Sequence, residues 1–159
     1  MNIRESREHP HELRLDLPAA HSAERLARAV MRQFVQHEGM RAAEVDALEF
    51  VASELLSNAV DYGGGNSAME ESDAPPNVRV LLHLRVQPDG WEMRVSDQGG
   101  GDPARVKALI EDPDLPGPLD ERGRGFFLLK SMVEDLTVER SEDGQGLVFI
   151  AQKRYERAH

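Results

Sequence analysis

The 159-residue chain contains no cysteine, which excludes a disulfide framework, a thiolate nucleophile and a cysteine-based zinc site. It has no apolar run near the roughly 20 residues that a membrane-crossing helix needs. Its opening stretch, Met1 to Glu12, is charged and lacks the apolar segment of a secretory signal, so a cytoplasmic protein with no membrane association is expected. Basic excess is absent too: the net charge is −10. Duplex nucleic acid carries about one negative charge per 1.7 Å of axis, so direct nucleic-acid binding is not expected either. The six histidines are scattered, and the close pair His9 and His11 sits in a charged terminal segment, which makes a poor metal site. There is no Gly-x-x-x-x-Gly-Lys-Ser/Thr loop, no Gly-x-Gly-x-x-Gly fingerprint and no eukaryotic-type kinase signature.

What remains is the composition of one ordinary globular domain, 40% hydrophobic and 30% charged. Alternation over His11 to Leu17, with Leu13, Leu15 and Leu17 on one face, predicts a half-buried strand. From Ser22 to about His37 the steps between Leu26, Ala29, Val30, Phe34 and Val35 or His37 predict an amphipathic helix stopped at Gly39. A longer helix is expected from Ala42 to Asp61 or Tyr62, broken by Gly63-Gly64-Gly65. Residues 66–77 read as a solvated loop and residues 1–10 as a flexible N-terminus. Val78–Val86 and Trp91–Val95 predict a hairpin. The glycine- and proline-rich stretch 98–122, with one short helix at Pro103–Glu111, predicts a long functional loop of lid type. A helix from about Gly125 to Leu136 follows, with Phe126, Leu129, Val133 and Leu136 as its buried stripe. A last hairpin is expected from Thr137–Ser141 and Leu147–Gln152. The order implies an α+β two-layer sandwich: a mixed, mainly antiparallel sheet with helices on one face.

Three short segments can carry chemistry, although each also has a plain structural explanation. On the second helix, at about 100° per residue, Leu48, Val51, Leu55, Ala59 and Tyr62 form an apolar face while Glu54, Asn58 and Asp61 gather on its flank. That flank can equally be a solvated edge. Asp97-Gln98-Gly99-Gly100-Gly101 closes a strand with an acid and with glycines that let a backbone approach a ligand; it can equally be a tight turn. In Arg122-Gly123-Arg124-Gly125-Phe126, glycines open an apolar helix whose free N–H groups suit phosphate, or merely cap it.

Taken in order, Glu54-x-x-x-Asn58, Asp97-x-Gly99-x-Gly101 and Gly123-x-Gly125 resemble the N box and the two glycine boxes of the GHKL ATPase/kinase superfamily, whose domain has the Bergerat fold. The segments Glu54 to Val60 and Gly123 to Leu129 most resemble the anti-sigma regulatory factors with serine kinase activity, and the resemblance runs from about Leu13 to Gln152.

It implies one ATP-binding, kinase-like domain over residues 1–159, with 98–122 as the ATP lid. Asn58 takes the Mg²⁺ ligand position and Glu54, one turn earlier, that of the catalytic base. Asp97 accepts from the adenine amino group, Gly99 and Gly101 pass the base and sugar, and Gly123, Arg124, Gly125 and Phe126 belong to the phosphate-wrapping segment. The implied partners are an RNA polymerase sigma factor and an anti-sigma antagonist of STAS type, exchanged by phosphorylation, with a homodimer as a further expectation. The alternative is a non-catalytic, ATP-dependent interaction module of the same fold. Two positions depart from the family pattern. Leu147 stands after Gly146 where a threonine or other polar residue is common, and the acidic Asp61 lies beside the expected metal face, where it can repel the nucleotide or help to hold the metal.

Overall fold

A computed structural model describes residues 11–62, 78–99, 101–111, 120–142, 144 and 146–155. The expected N-terminal tail, the loop at 66–77, the triple glycine and positions 112–119 of the expected lid lie outside the described residues. Nine elements follow in order: β1 (His11–Pro18), α1 (His21–His37), α2 (Ala42–Tyr62), β2 (Arg79–Gln87), β3 (Gly90–Ser96), α3 (Pro103–Glu111), α4 (Asp120–Met132), β4 (Asp135–Arg140) and β5 (Leu147–Arg154).

The five strands form one open sheet in the order β1-β2-β3-β5-β4. Every pairing in it is antiparallel, so among the described residues the sheet has no parallel component. Because side chains alternate along a strand, the register lines apolar residues up across all five strands. Leu15 faces Leu82, Leu82 faces Val95, Val95 faces Phe149, and Phe149 faces Val138. A second row runs through Leu13, Leu84, Met93, Ala151 and Leu136. The helices lie over this face: α2 packs on β2 and β3, α4 on α2 and β4, and α1 on α2 and β1. Full burial of a side chain such as Phe149 or Leu82 contributes roughly 1.5–3 kcal/mol.

Two helices differ from the sequence expectation. In α1 the buried line is Ala23, Ala27, Met31 and Val35, whereas Leu26 is 62% and Val30 38% exposed. Apolar residues recur at helical steps on two faces of α1. The face with alanines allows the closer approach to α2, and close approach is what excludes water. The expected Gly125–Leu136 helix is displaced: α4 starts at Asp120 and ends at Met132, and Leu136 belongs to β4. Gly123 and Gly125 therefore lie within the first two turns of α4 instead of ahead of it. Phe126 and Leu129 are fully buried as the stripe required.

Candidate functional site

The second helix brings its polar flank to the α1 side of the helical layer. Asn58 is 7% exposed, with the buried Leu55 and Ala59 on neighbouring turns holding α2 against the core. Glu54 is half-buried. Its carboxyl group holds its proton more strongly than an ordinary glutamate, first because burial disfavours the charge and second because Glu24 of α1 is also negative. Asp61 is exposed and engages His21, whose Nε2 lies 3.1 Å from Asp61 Oδ1. The same imidazole turns Nδ1 toward Glu24 Oε2 at 3.2 Å, and the Ser57 hydroxyl donates to Glu24 Oε1 at 2.9 Å.

Asp97 follows directly on β3 and is 5% exposed. Its Oδ1 accepts the N–H of Gly99 at 3.0 Å and the N–H of Leu147 at 3.1 Å, while its own N–H donates to the Leu147 carbonyl at 2.9 Å. The carboxylate plane is thus set by main chain on two sides. Gly146 makes this possible, because a Cβ there would lie 1.9 Å from the Asp97 carbonyl oxygen and 2.8 Å from Oδ1. Leu147, the departure from the family pattern, is buried and packs on Gly101, where a Cβ would meet its Cδ1 at 3.1 Å. Asp97, Gly99 and Gly101 are in this way gathered about one backbone junction.

The third segment is placed by its first apolar residue. Phe126 stacks on Phe149, ring centroids 5.8 Å apart and planes at 25°, and Phe149 pairs with Val95, two residues before Asp97. Phe126 is therefore a core anchor, and Gly123 and Gly125 lie inside the helix that it anchors. Of Arg124 the structure describes the backbone, within α4.

A groove of about 600 Å³ touches Asp97 and Ser141 but is lined by Arg14, Leu81, His83 and Arg94. These residues belong to the sheet face away from the helices, so the groove does not join Asp97 to Asn58. Among the described residues no three His, Cys, Asp or Glu side chains gather as a metal cluster. The sequence reading missed Glu24 and His21: a glutamate early in an amphipathic helix normally looks like a solvated or dipole-stabilising residue, and no local signal marks it as buried.

Residues 17–151 match the histidine kinase-like ATPase domain family, and the chain belongs to that family, which is of GHKL type. Its described residues contain no helix long and apolar enough to cross a membrane. Among curated proteins it is similar to the anti-sigma F factor of Geobacillus stearothermophilus, 26% identical over 148 residues that span 91% of this chain and 92% of the relative. It is also similar to the anti-sigma F factor of Clostridium acetobutylicum, 24% identical over 144 residues, 91% and 94% of the two chains. Among solved structures, a chain in the SiaB–SiaC complex from Pseudomonas aeruginosa shares the fold with a TM-score of 0.62 at 13% identity, over 98% of this chain and 99% of that one. Membership of an ATPase-domain family implies ATP as the nucleotide.

Proposed function

We propose that the chain is an ATP-dependent protein serine/threonine kinase of the anti-sigma-factor type, which phosphorylates a STAS-type antagonist and in the alternative state holds an RNA polymerase sigma factor. The observation that carries this reading is the pairing of Glu54 with Asn58 on α2. A half-buried carboxylate with raised proton affinity stands one turn before a buried carboxamide. The names of the relatives support the anti-sigma part, and the complex formed by the structural neighbour supports a protein partner.

ATP with Mg²⁺ would supply the phosphoryl group, the Asn58 carboxamide oxygen serving as the protein's ligand to the cation. Glu54 accepts the proton of the substrate hydroxyl as that oxygen becomes a nucleophile, and its raised proton affinity brings it closer to working pH. Asp97 presents a fixed acceptor to the adenine amino group, and its main-chain ties prevent it from turning away. Gly99 and Gly101 keep the path beside the base open, and the segment Gly123-Arg124-Gly125 is assigned to the phosphates on its resemblance to the second glycine box. Asp61, already engaged with His21, lies at the rim of the site.

Incubation of the purified chain with Mg-ATP and antagonist proteins of STAS type tests the reading. Phosphate should appear on a serine or threonine of one of them, and Glu54→Ala should reduce the rate by about 10²–10⁴-fold. Transfer that persists at the wild-type rate in that variant overturns the catalytic reading. A non-catalytic module is favoured by one observation, the exposure of Phe127 (60%) and the neighbouring Leu128 on α4, which suits a docking helix. In that case ATP stabilises the protein against heat in an Asn58-dependent manner and no phosphate moves. A homodimer through the exposed Leu26 and Val30 of α1 belongs to either reading and is checked by the mass in solution.

A further inference from the structure

Glu24 is the one buried side chain among the described acids for which the proposed reaction has no use beyond its neighbourhood with Glu54. Its carboxylate is 7% exposed, and a charge so placed is tolerated only when it is paired and hydrogen-bonded. The partners are Ser57, whose hydroxyl donates at 2.9 Å, and His21, whose Nδ1 lies 3.2 Å away. Ser57 follows Glu54 by three residues on α2, so the two share a side of the helix. The bond to Ser57 therefore holds Glu24 beside the turn that carries Glu54. Arg28, also on α1, reaches α2 one residue before Glu54, with its Nη1 3.5 Å from the Ser53 hydroxyl.

We propose that Glu24 is a positioning residue for the transfer reaction: its buried negative charge, clasped by Ser57 and His21, keeps Glu54 a competent base. This inference rests on the kinase reading and adds a second carboxylate to it. The physics is that of two like charges near one another in a medium poorer than water, each of which makes the other harder to ionise. The hydroxyl and imidazole partners hold the Glu24 carboxylate in place beside α2, and the proton affinity of Glu54 is raised first by its own burial and second by that neighbouring carboxylate. The titratable and charged groups of α1 at this contact are Glu24, His21 and Arg28. On α2 itself the group is Asp61, and His21 bridges it to Glu24. The described side chains of α4 add only Lys130, which is exposed.

A helix clasp without charge would act on Glu54 only through burial, which a substitution that keeps the clasp leaves unchanged, and the test uses that difference. In Glu24→Gln the carboxamide oxygen still accepts from Ser57, so the clasp survives while the charge is lost. The acid limb of the phosphate-transfer profile should then move to lower pH, with activity at the acid foot rising severalfold relative to the variant's own plateau. Ser57→Ala, at a half-buried hydroxyl, loosens the hold on the Glu24 charge and should move the limb the same way by less. Titration of the ¹³C-labelled Glu54 carboxyl in the full chain without nucleotide should show the same displacement. It does so whether or not phosphate is ever transferred, so failure of this inference is distinguishable from failure of the kinase reading. If Glu54 titrates at the wild-type position in both variants, with circular dichroism showing native folds, Glu24 is only a helix clasp and the proposal is overturned.

Discussion

The regions around Asp97 and around Glu54 are built on different principles. Around Asp97 the geometry is made by main chain: two backbone N–H groups on one carboxylate oxygen, a reciprocal bond to Leu147, and a glycine pressed against the Asp97 carbonyl. Around Glu54 it is made by side chains from two helices, the acidic Glu24 and Asp61 together with the Ser57 hydroxyl and the His21 imidazole that bind them. A main-chain site fixes shape, and tolerates little change because no rotamer can relieve a clash. A side-chain cluster sets proton affinity, and tolerates change in small steps because each charge can be altered without moving the backbone.

The main-chain junction is most sensitive to substitution at Gly146. Gly146→Ala forces a Cβ into the Asp97 carbonyl, and with backbone on both sides of the clash we expect a loss of about 3 kcal/mol in urea unfolding. The stabilisation by ATP, about 2.7 kcal/mol at a hundredfold excess over Kd, should vanish with it. A variant that unfolds and binds like wild type would show that the junction yields more easily than the coordinates imply.

Leu147→Thr sharpens the same point with a smaller effect. The main-chain bonds to Asp97 remain, but a buried apolar side chain is exchanged for one carrying a hydroxyl. Stability should fall by about 1–3 kcal/mol, while ATP affinity measured by calorimetry changes by less than about threefold, since it is the Leu147 N–H that orients the acid. A large gain in affinity would instead mean that the missing hydroxyl limits binding.

The smallest effect is expected around Glu54. The Glu54 carboxyl holds its proton more strongly in the folded chain than an ordinary glutamate. Its contribution to stability is therefore fully present below the usual glutamate range and is lost as pH rises through the raised folded-state value. Glu54→Gln should accordingly melt slightly higher than wild type at neutral pH, and the difference should shrink toward zero in acid. A melting difference that stays constant with pH would remove the electrostatic part of the contrast.

Much of this arrangement is visible in the chain before any coordinates. The triple glycine after Tyr62, the short helix at Pro103–Glu111 and the alternation of Leu13, Leu15 and Leu17 place elements well, because each depends on near neighbours and on periods of 2 or 3.6 residues. The helix carrying Phe126 starts and ends earlier than its local sequence predicts. Glycines at 123 and 125 are poor helix formers locally, and the anchoring of Phe126 on Phe149 that supports the helix is a contact between distant positions. In α1 the pattern contained two apolar faces, and only the fit against α2 selects the one with Ala23 and Ala27.

The order of the three motifs, the spacing of Glu54 and Asn58 on one helix flank, and the glycines where a backbone must come close are all properties of consecutive residues, legible without a fold. Tertiary structure alone decided that Glu24 is buried beside Glu54, that Leu147 ties Asp97 across fifty residues, and that Leu26 and Val30 stay in water. Those outcomes depend on which surfaces exclude solvent together, and the energy of a buried charge or a shared hydrogen bond exists only once distant segments have met.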